Sequence, residues 1–192
     1  MKLPIVAYGD PVLRKKTEEI DEDYPQLKEL IDNMFETMYT AHGVGLAAPQ
    51  IGLPIRLFVI DGSPFAEDED GDTDLKDFKR VFINPIIVKE YGEKWAFNEG
   101  CLSIPDINEE VMRPSNVVIN YLDENFEEKE EDLAGLAARI VQHEYDHIEG
   151  KLFVDKLGPL KKTMLKSKLD QISKGQIRVG YKMKFPLQKK GR

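Results

Sequence analysis

The sequence predicts an α+β fold in which mostly antiparallel sheets pack around a central helix, and its layout carries that prediction. Strand-like runs crowd the middle of the chain, whereas stretches with helical spacing lie towards its edges. At 192 residues and 22.0 kDa, the chain is long enough to bury a core without disulfides or a structural metal. We read residues 1–175 as one domain, with an acidic surface insertion at 62–80 and a basic tail at 176–192.

The first helix is predicted over residues 25–41, where Leu27, Leu30, Ile31, Met34 and Met38 form one apolar stripe. The glycine-rich "HGVGLAAPQIG" (42–52) then reads as a loop leading into "LPIRLFVID" (53–61), a β-branched run of the kind found in buried strands. Residues 62–80 lose the apolar period and gather acids, so they read as a solvated insertion. A calcium loop fits them poorly, because with Gly71 as the turn glycine the first ligand position falls on Ala66. Further strands are expected at "VFINPIIVKE" (81–90), "KWAFNEGCLSIP" (94–105) and "SNVVINYLD" (115–123), then a turn and a polar strand within 123–135. The second helix covers about Leu136 to Glu149, and Gly150 stands where a left-handed closing residue is common. A third, weaker helix fits Leu160 to Ser173.

Composition narrows the function. A net charge of −8 argues against DNA or RNA binding over the bulk of the surface. No apolar run approaches the roughly 18 residues of a membrane span, and the N-terminal apolar run is shorter than the core of about 7–15 residues in a signal peptide. A cytoplasmic protein is expected. Residues 176–192 hold six Lys and Arg and no acid, which reads as a solvated end or a weak contact with ribosomal RNA. The single cysteine, Cys101, has no internal disulfide partner, so its value lies in packing, reactivity or metal binding.

The stretch "QHEYDH" (142–147) carries the chemistry. His143 and His147 at i and i+4 share one helical face, and Glu144 can stand beside a metal-bound water without ligating the metal. Two imidazoles need a third ligand. The longer metalloprotease motif places a histidine where this chain has Phe153, and no glutamate follows Glu149 to complete a thermolysin-like set. That leaves His42 and Cys101, of which Cys101, on a probable strand and preceded by Gly100, suits a soft or borderline divalent ion better. A Cys and two His with one position open to water is the arrangement of a catalytic site. Leu136, Ile140 and the stem of Arg139 lie one or two turns before His143 and read as an apolar wall beside it.

Three stretches in this order, "GVGLAAPQIG" (43–52), "EGCLSIP" (99–105) and "QHEYDH" (142–147), resemble the signature motifs of peptide deformylases. The resemblance implies a metal-dependent hydrolase that removes the formyl group from the N-terminal methionine of newly made proteins and releases formate. It implies Cys101, His143 and His147 as metal ligands, Glu144 as general acid/base, and Gln50 with the Leu102 N–H as oxyanion donors. Gly43, Val44, Gly45, Glu99 and Gly100 join Leu136, Arg139 and Ile140 as substrate-binding candidates. Fe²⁺ is the implied native ion, with Zn²⁺, Ni²⁺ or Co²⁺ as substitutes, and the implied partners are N-formylmethionyl peptides and nascent chains. One departure from the family pattern follows "CLSIP", where Asp106, Ile107 and Asn108 stand in place of a basic residue. A small metallopeptidase and a non-catalytic zinc module are the competing readings.

Overall fold

A computed structural model of the protein describes residues 1–66 and 75–188. In chain order its regular elements are β1 (Ile5–Val6), α1 (Leu27–Thr40), β2 (Gly45–Ala47), β3 (Leu57–Asp61), β4 (Lys79–Cys101) and β5 (Ile104–Leu122), followed by β6 (Glu128–Ala134), α2 (Gly135–Ile148), α3 (Pro159–Ser173) and β7 (Met183–Lys184). Strands β2 to β6 form one antiparallel sheet in sequence order, and β1 pairs with β7 in a small parallel sheet. The architecture is α+β, as expected.

Helix α1 forms where the apolar stripe demanded it and buries Leu27, Ile31, Met34 and Met38 against β2 and β3. Helix α2 sits among β2, β3, β5 and β6, with Ala138, Ile140, Val141 and Ile148 buried in a second cluster around Phe58 and Phe82. Gly150 closes it with φ +71°, and the N–H groups of Gly150 and Lys151 bond back to the carbonyls of His147 and Asp146 at 3.2 and 2.8 Å. A side chain at 150 would also strike the Arg14 carbonyl at 2.6 Å. Two independent constraints therefore require glycine there.

The strands differ from their expected limits for identifiable reasons. The glycine-rich 42–52 segment contains β2, which pairs with β3, and a 3₁₀ turn at Ala48–Ile51. Small residues concealed the strand, although Leu46, Ala47 and Ala48 are fully buried. The run at 81–90 and most of that at 94–105 join into β4, whose register shifts at two points before Gly92, around Gly92 and again between Glu99 and Cys101, while Ile104 and Pro105 open β5. The polar first half of β5 was hidden by its charges, yet Ile107, Val111 and Arg113 alternate inward. Of the acidic insertion at 62–80, residues 67–74 lie outside the described residues, while Leu75 and Phe78 are buried in the core. The C-terminal tail packs back on the body: β7 pairs with β1, and the Leu187 N–H bonds to the Ser173 carbonyl at 3.0 Å.

Candidate active site

Cys101 ends β4, while His143 and His147 lie one turn apart on α2. The chain crossing from sheet to helix brings their ligand atoms within 4.8 Å of one another. The Cys101 Sγ is 3.4 Å from the His147 Nε2. His42, the rejected alternative, lines the same cavity but is not part of this cluster.

The donors are oriented from behind. The Glu99 Oε2 lies 2.9 Å from the His143 Nδ1, so that nitrogen carries the proton and Nε2 is left for an ion. Glu99 in turn accepts from Arg113 at 2.6 and 2.9 Å and from Arg139 at 2.9 Å. Burial alone would raise the Glu99 carboxyl, but the Arg113 guanidinium and His143 outweigh it and hold the group well below the usual carboxylate range. Burial likewise opposes charge on His143, yet its bonds to Cys101 and Glu99 lift it to about 10. Burial holds His147 well down, in the neutral form that ligates.

Glu144 is buried, its Oε2 has no hydrogen-bond partner among the described residues, and burial pushes its carboxyl up to about 7. Gly45 of β2 lies against it so closely that a Cβ there would sit 2.7 Å from the Glu144 Cδ. The Gln50 Oε1 accepts the Ala47 N–H at 2.8 Å, which turns its amide nitrogen towards the Cys101 Sγ at 3.5 Å and the Ser103 Oγ at 3.4 Å. Gly45, Gln50, Cys101, His143 and Glu144 border a cavity of about 690 Å³ that Gly43, Val44, Gly100, Leu102 and Ile140 also line.

Two expectations change. Leu136 is not among the lining residues and packs into the cluster around Phe58 and Phe82. Arg139 reaches the cavity edge, but its guanidinium donates to Glu99 and to the Val111 and Trp95 carbonyls and stacks 4.5 Å over the Trp95 ring. It is a strut rather than an apolar wall. Glu99 lines the cavity as well, and its carboxylate is taken up by His143, Arg113 and Arg139. Arg113, which also ties Glu99 to Asp146 of α2 at 2.7 Å, went unnoticed in the sequence. Its inward register in β5 was the available signal.

The polypeptide deformylase family model matches residues 2–163. The chain belongs to the polypeptide deformylase family. It is 61% identical to a peptide deformylase of Christiangramia forsetii over the whole of both chains, and 49% identical to one of Cytophaga hutchinsonii over 98% of this chain and all of that one. A crystal structure of a peptide deformylase from Legionella pneumophila is 42% identical, with a TM-score of 0.78, over 93% of this chain and 99% of that chain. Deformylases are metal-dependent hydrolases that remove the N-terminal formyl group from nascent proteins, and this chain is such an enzyme. Its Cys/His/His cluster fits that chemistry, since three donors of suitable softness converge beside a buried, unpartnered carboxylate. No helix among the described residues is long and apolar enough to cross a membrane.

Proposed function

We propose that Cys101, His143 and His147 hold one divalent cation, and that Glu144, Gln50 and the Leu102 N–H act together on a formyl group bound beside it. The observation that supports this reading is the free Oε2 of Glu144, buried next to the converging ligand atoms. When bound, the ion supplies Lewis acidity and a water of lowered pKa. Glu144 accepts at Oε2 a proton from the water whose oxygen bonds to the formyl carbon, and returns it to the amine nitrogen as the C–N bond breaks, giving formate and a free N-terminus. Its carboxyl, raised towards neutrality by burial, is suited to both transfers. Gln50 Nε2 and the Leu102 N–H donate where negative charge gathers on the formyl oxygen.

Strand β2 is an edge strand of its sheet and borders the cavity, so a peptide can lie beside Gly43, Val44 and Gly45 as an added strand. Gly100 and the side chain of Ile140 complete the slot for methionine. A thiolate with two imidazoles takes Fe²⁺, Zn²⁺, Ni²⁺ or Co²⁺, and we assign Fe²⁺ as the native ion. Acting on nascent chains places the enzyme in the cytoplasm, where the cationic C-terminal region makes weak contact with the ribosome.

The test is anaerobic purification followed by metal analysis and an assay on formyl-Met-Ala with one sample. Stoichiometric iron and formate release with the Met–Ala bond intact is expected. Glu144→Ala should keep the metal and release no formate, while activity surviving in that variant overturns the assignment.

A further inference from the structure

The C-terminal segment that follows the third helix does more than cover the core. Arg178, Val179, Gly180 and Tyr181 line the cavity that holds the metal cluster, although they lie beyond the residues that carry the family match. The Tyr181 hydroxyl donates to the Leu102 carbonyl at 2.7 Å, across 79 residues of chain. Tyr181 itself is fixed by the pairing of β7 with β1 just after it, where the Ile5 N–H bonds to the Lys182 carbonyl at 2.9 Å.

Leu102 sits in the turn between β4 and β5, where no ladder holds its peptide groups. It is pinned from three other directions. Its side chain presses on Gly43 so closely that a Cβ there would meet the Leu102 Cδ1 at 2.7 Å. The next carbonyl, of Ser103, accepts the Tyr8 N–H at 2.8 Å, and the Leu102 carbonyl takes the tyrosine bond. Of these, the tyrosine bond alone acts on the carbonyl of Leu102 itself. That carbonyl belongs to the Leu102–Ser103 peptide and the Leu102 N–H to the peptide before it, so the tyrosine bond anchors the Leu102 Cα from its C-terminal side. Were the turn backbone free to shift, the Leu102 N–H would leave the line to the formyl oxygen, where misplacement of about 1 Å costs as much as 10²-fold.

We propose that Tyr181 is a positioning residue for the reaction, holding the backbone of Leu102 through its carbonyl so that the Leu102 N–H, one peptide earlier, meets the oxyanion. This rests on the role given above to Leu102 and deepens it. The C-terminal segment is thus a working wall of the cleft, contributed by a part of the chain that charge alone marks as a solvated tail.

The experiment compares the wild type with Tyr181→Phe and Gln50→Ala on formyl-Met-Ala-Ser and its N-thioformyl counterpart, whose sulfur accepts hydrogen bonds poorly. The phenylalanine ring keeps the packing, so metal content and melting temperature should match the wild type. On the formyl substrate kcat should fall roughly 10-fold with KM unchanged, a fraction of the 10²–10³ expected for losing a donor outright. On the thioformyl substrate the loss should shrink to within about twofold, because there is less hydrogen bonding to lose. In the zinc-loaded protein the Leu102 and Ser103 amide resonances should shift and exchange faster. An equal loss on both substrates, or none on either, overturns the proposal. If Gln50→Ala shows the substrate-dependent loss and Tyr181→Phe does not, Tyr181 alone is wrongly assigned; if neither shows it, the oxyanion arrangement itself falls.

Discussion

Glu99 orients His143 of the Cys/His/His cluster, and it does so from behind the ring. Its carboxylate faces His143, Arg113 and Arg139 in a buried cluster, so replacing it removes one anion from among three cationic or donor groups. Glu99→Gln should weaken metal affinity by about 10–100-fold, read by competition with a chelator. It should also cost about 3–5 kcal/mol near neutrality, because the buried Arg139 loses its carboxylate partner and Arg113 keeps only Asp146. The sign of the pH dependence follows from the depressed carboxyl. Its contribution to stability is complete above the unfolded value of 4.5 and is lost as pH falls through the lower folded value. Denaturant titrations should therefore show the gap between wild type and variant narrowing in acid, and a gap independent of pH refutes this. Glu99 was visible in the sequence only as the neighbour of Gly100 and Cys101. Its partners stand 14 to 44 residues away on other elements, and the pairing of β4 with β5 that brings Arg113 to it has no local signature.

At the scale of elements, the site depends on how closely β2 approaches α2. Gly45 allows that approach, because a methyl group there overlaps the Glu144 side chain, itself buried with little room to retreat. Gly45→Ala should therefore leave metal content and folding intact while lowering kcat by roughly 10²-fold through displacement of the carboxylate. Gly150→Ala makes the opposite case. It strains a left-handed residue and drives a Cβ into the Arg14 backbone, so it should lower stability by about 1–3 kcal/mol with kcat preserved at temperatures where the protein stays folded. Interchanged outcomes refute both assignments. The end of α2 was legible because a helix announces its period and its closing glycine locally. The sheet was legible only in part: β2 is three residues of small side chains, and the first half of β5 hides an inward row of Ile107, Val111 and Arg113 among surface charges. Pattern reading finds elements whose burial follows their own period, and it misses those whose burial is imposed by a partner strand.

Across the whole molecule the two chain ends depend on each other. Among the described residues strand β1 has only β7 as its sheet partner, and Ile177, Met183 and Phe185 pack against the cluster containing Val6, Leu13, Leu169 and Ile172. Ending the chain after Gly175 removes all of these together with Tyr181, and leaves the fully buried Ile5 and Ile172 facing water. That truncation should lower the melting temperature by more than about 5 °C and reduce deformylation as well, since losing even 1–2 kcal/mol of burial shifts a domain of this size by several degrees. Ending the chain after Gln188 should change neither, yet it removes Lys189, Lys190 and Arg192, half of the cations in the basic tail. The shorter deletion is therefore the sound probe of ribosome contact: it alters the charge while keeping β7 and Tyr181 in place. If those cations contribute, co-sedimentation with ribosomes should weaken at low salt for the chain ending at Gln188, and the difference should vanish as ionic strength rises, because a phosphate contact is driven by counterion release. Equal co-sedimentation at every salt concentration removes any role for these three cations and leaves the C-terminal segment with its duties in the fold and at the cleft.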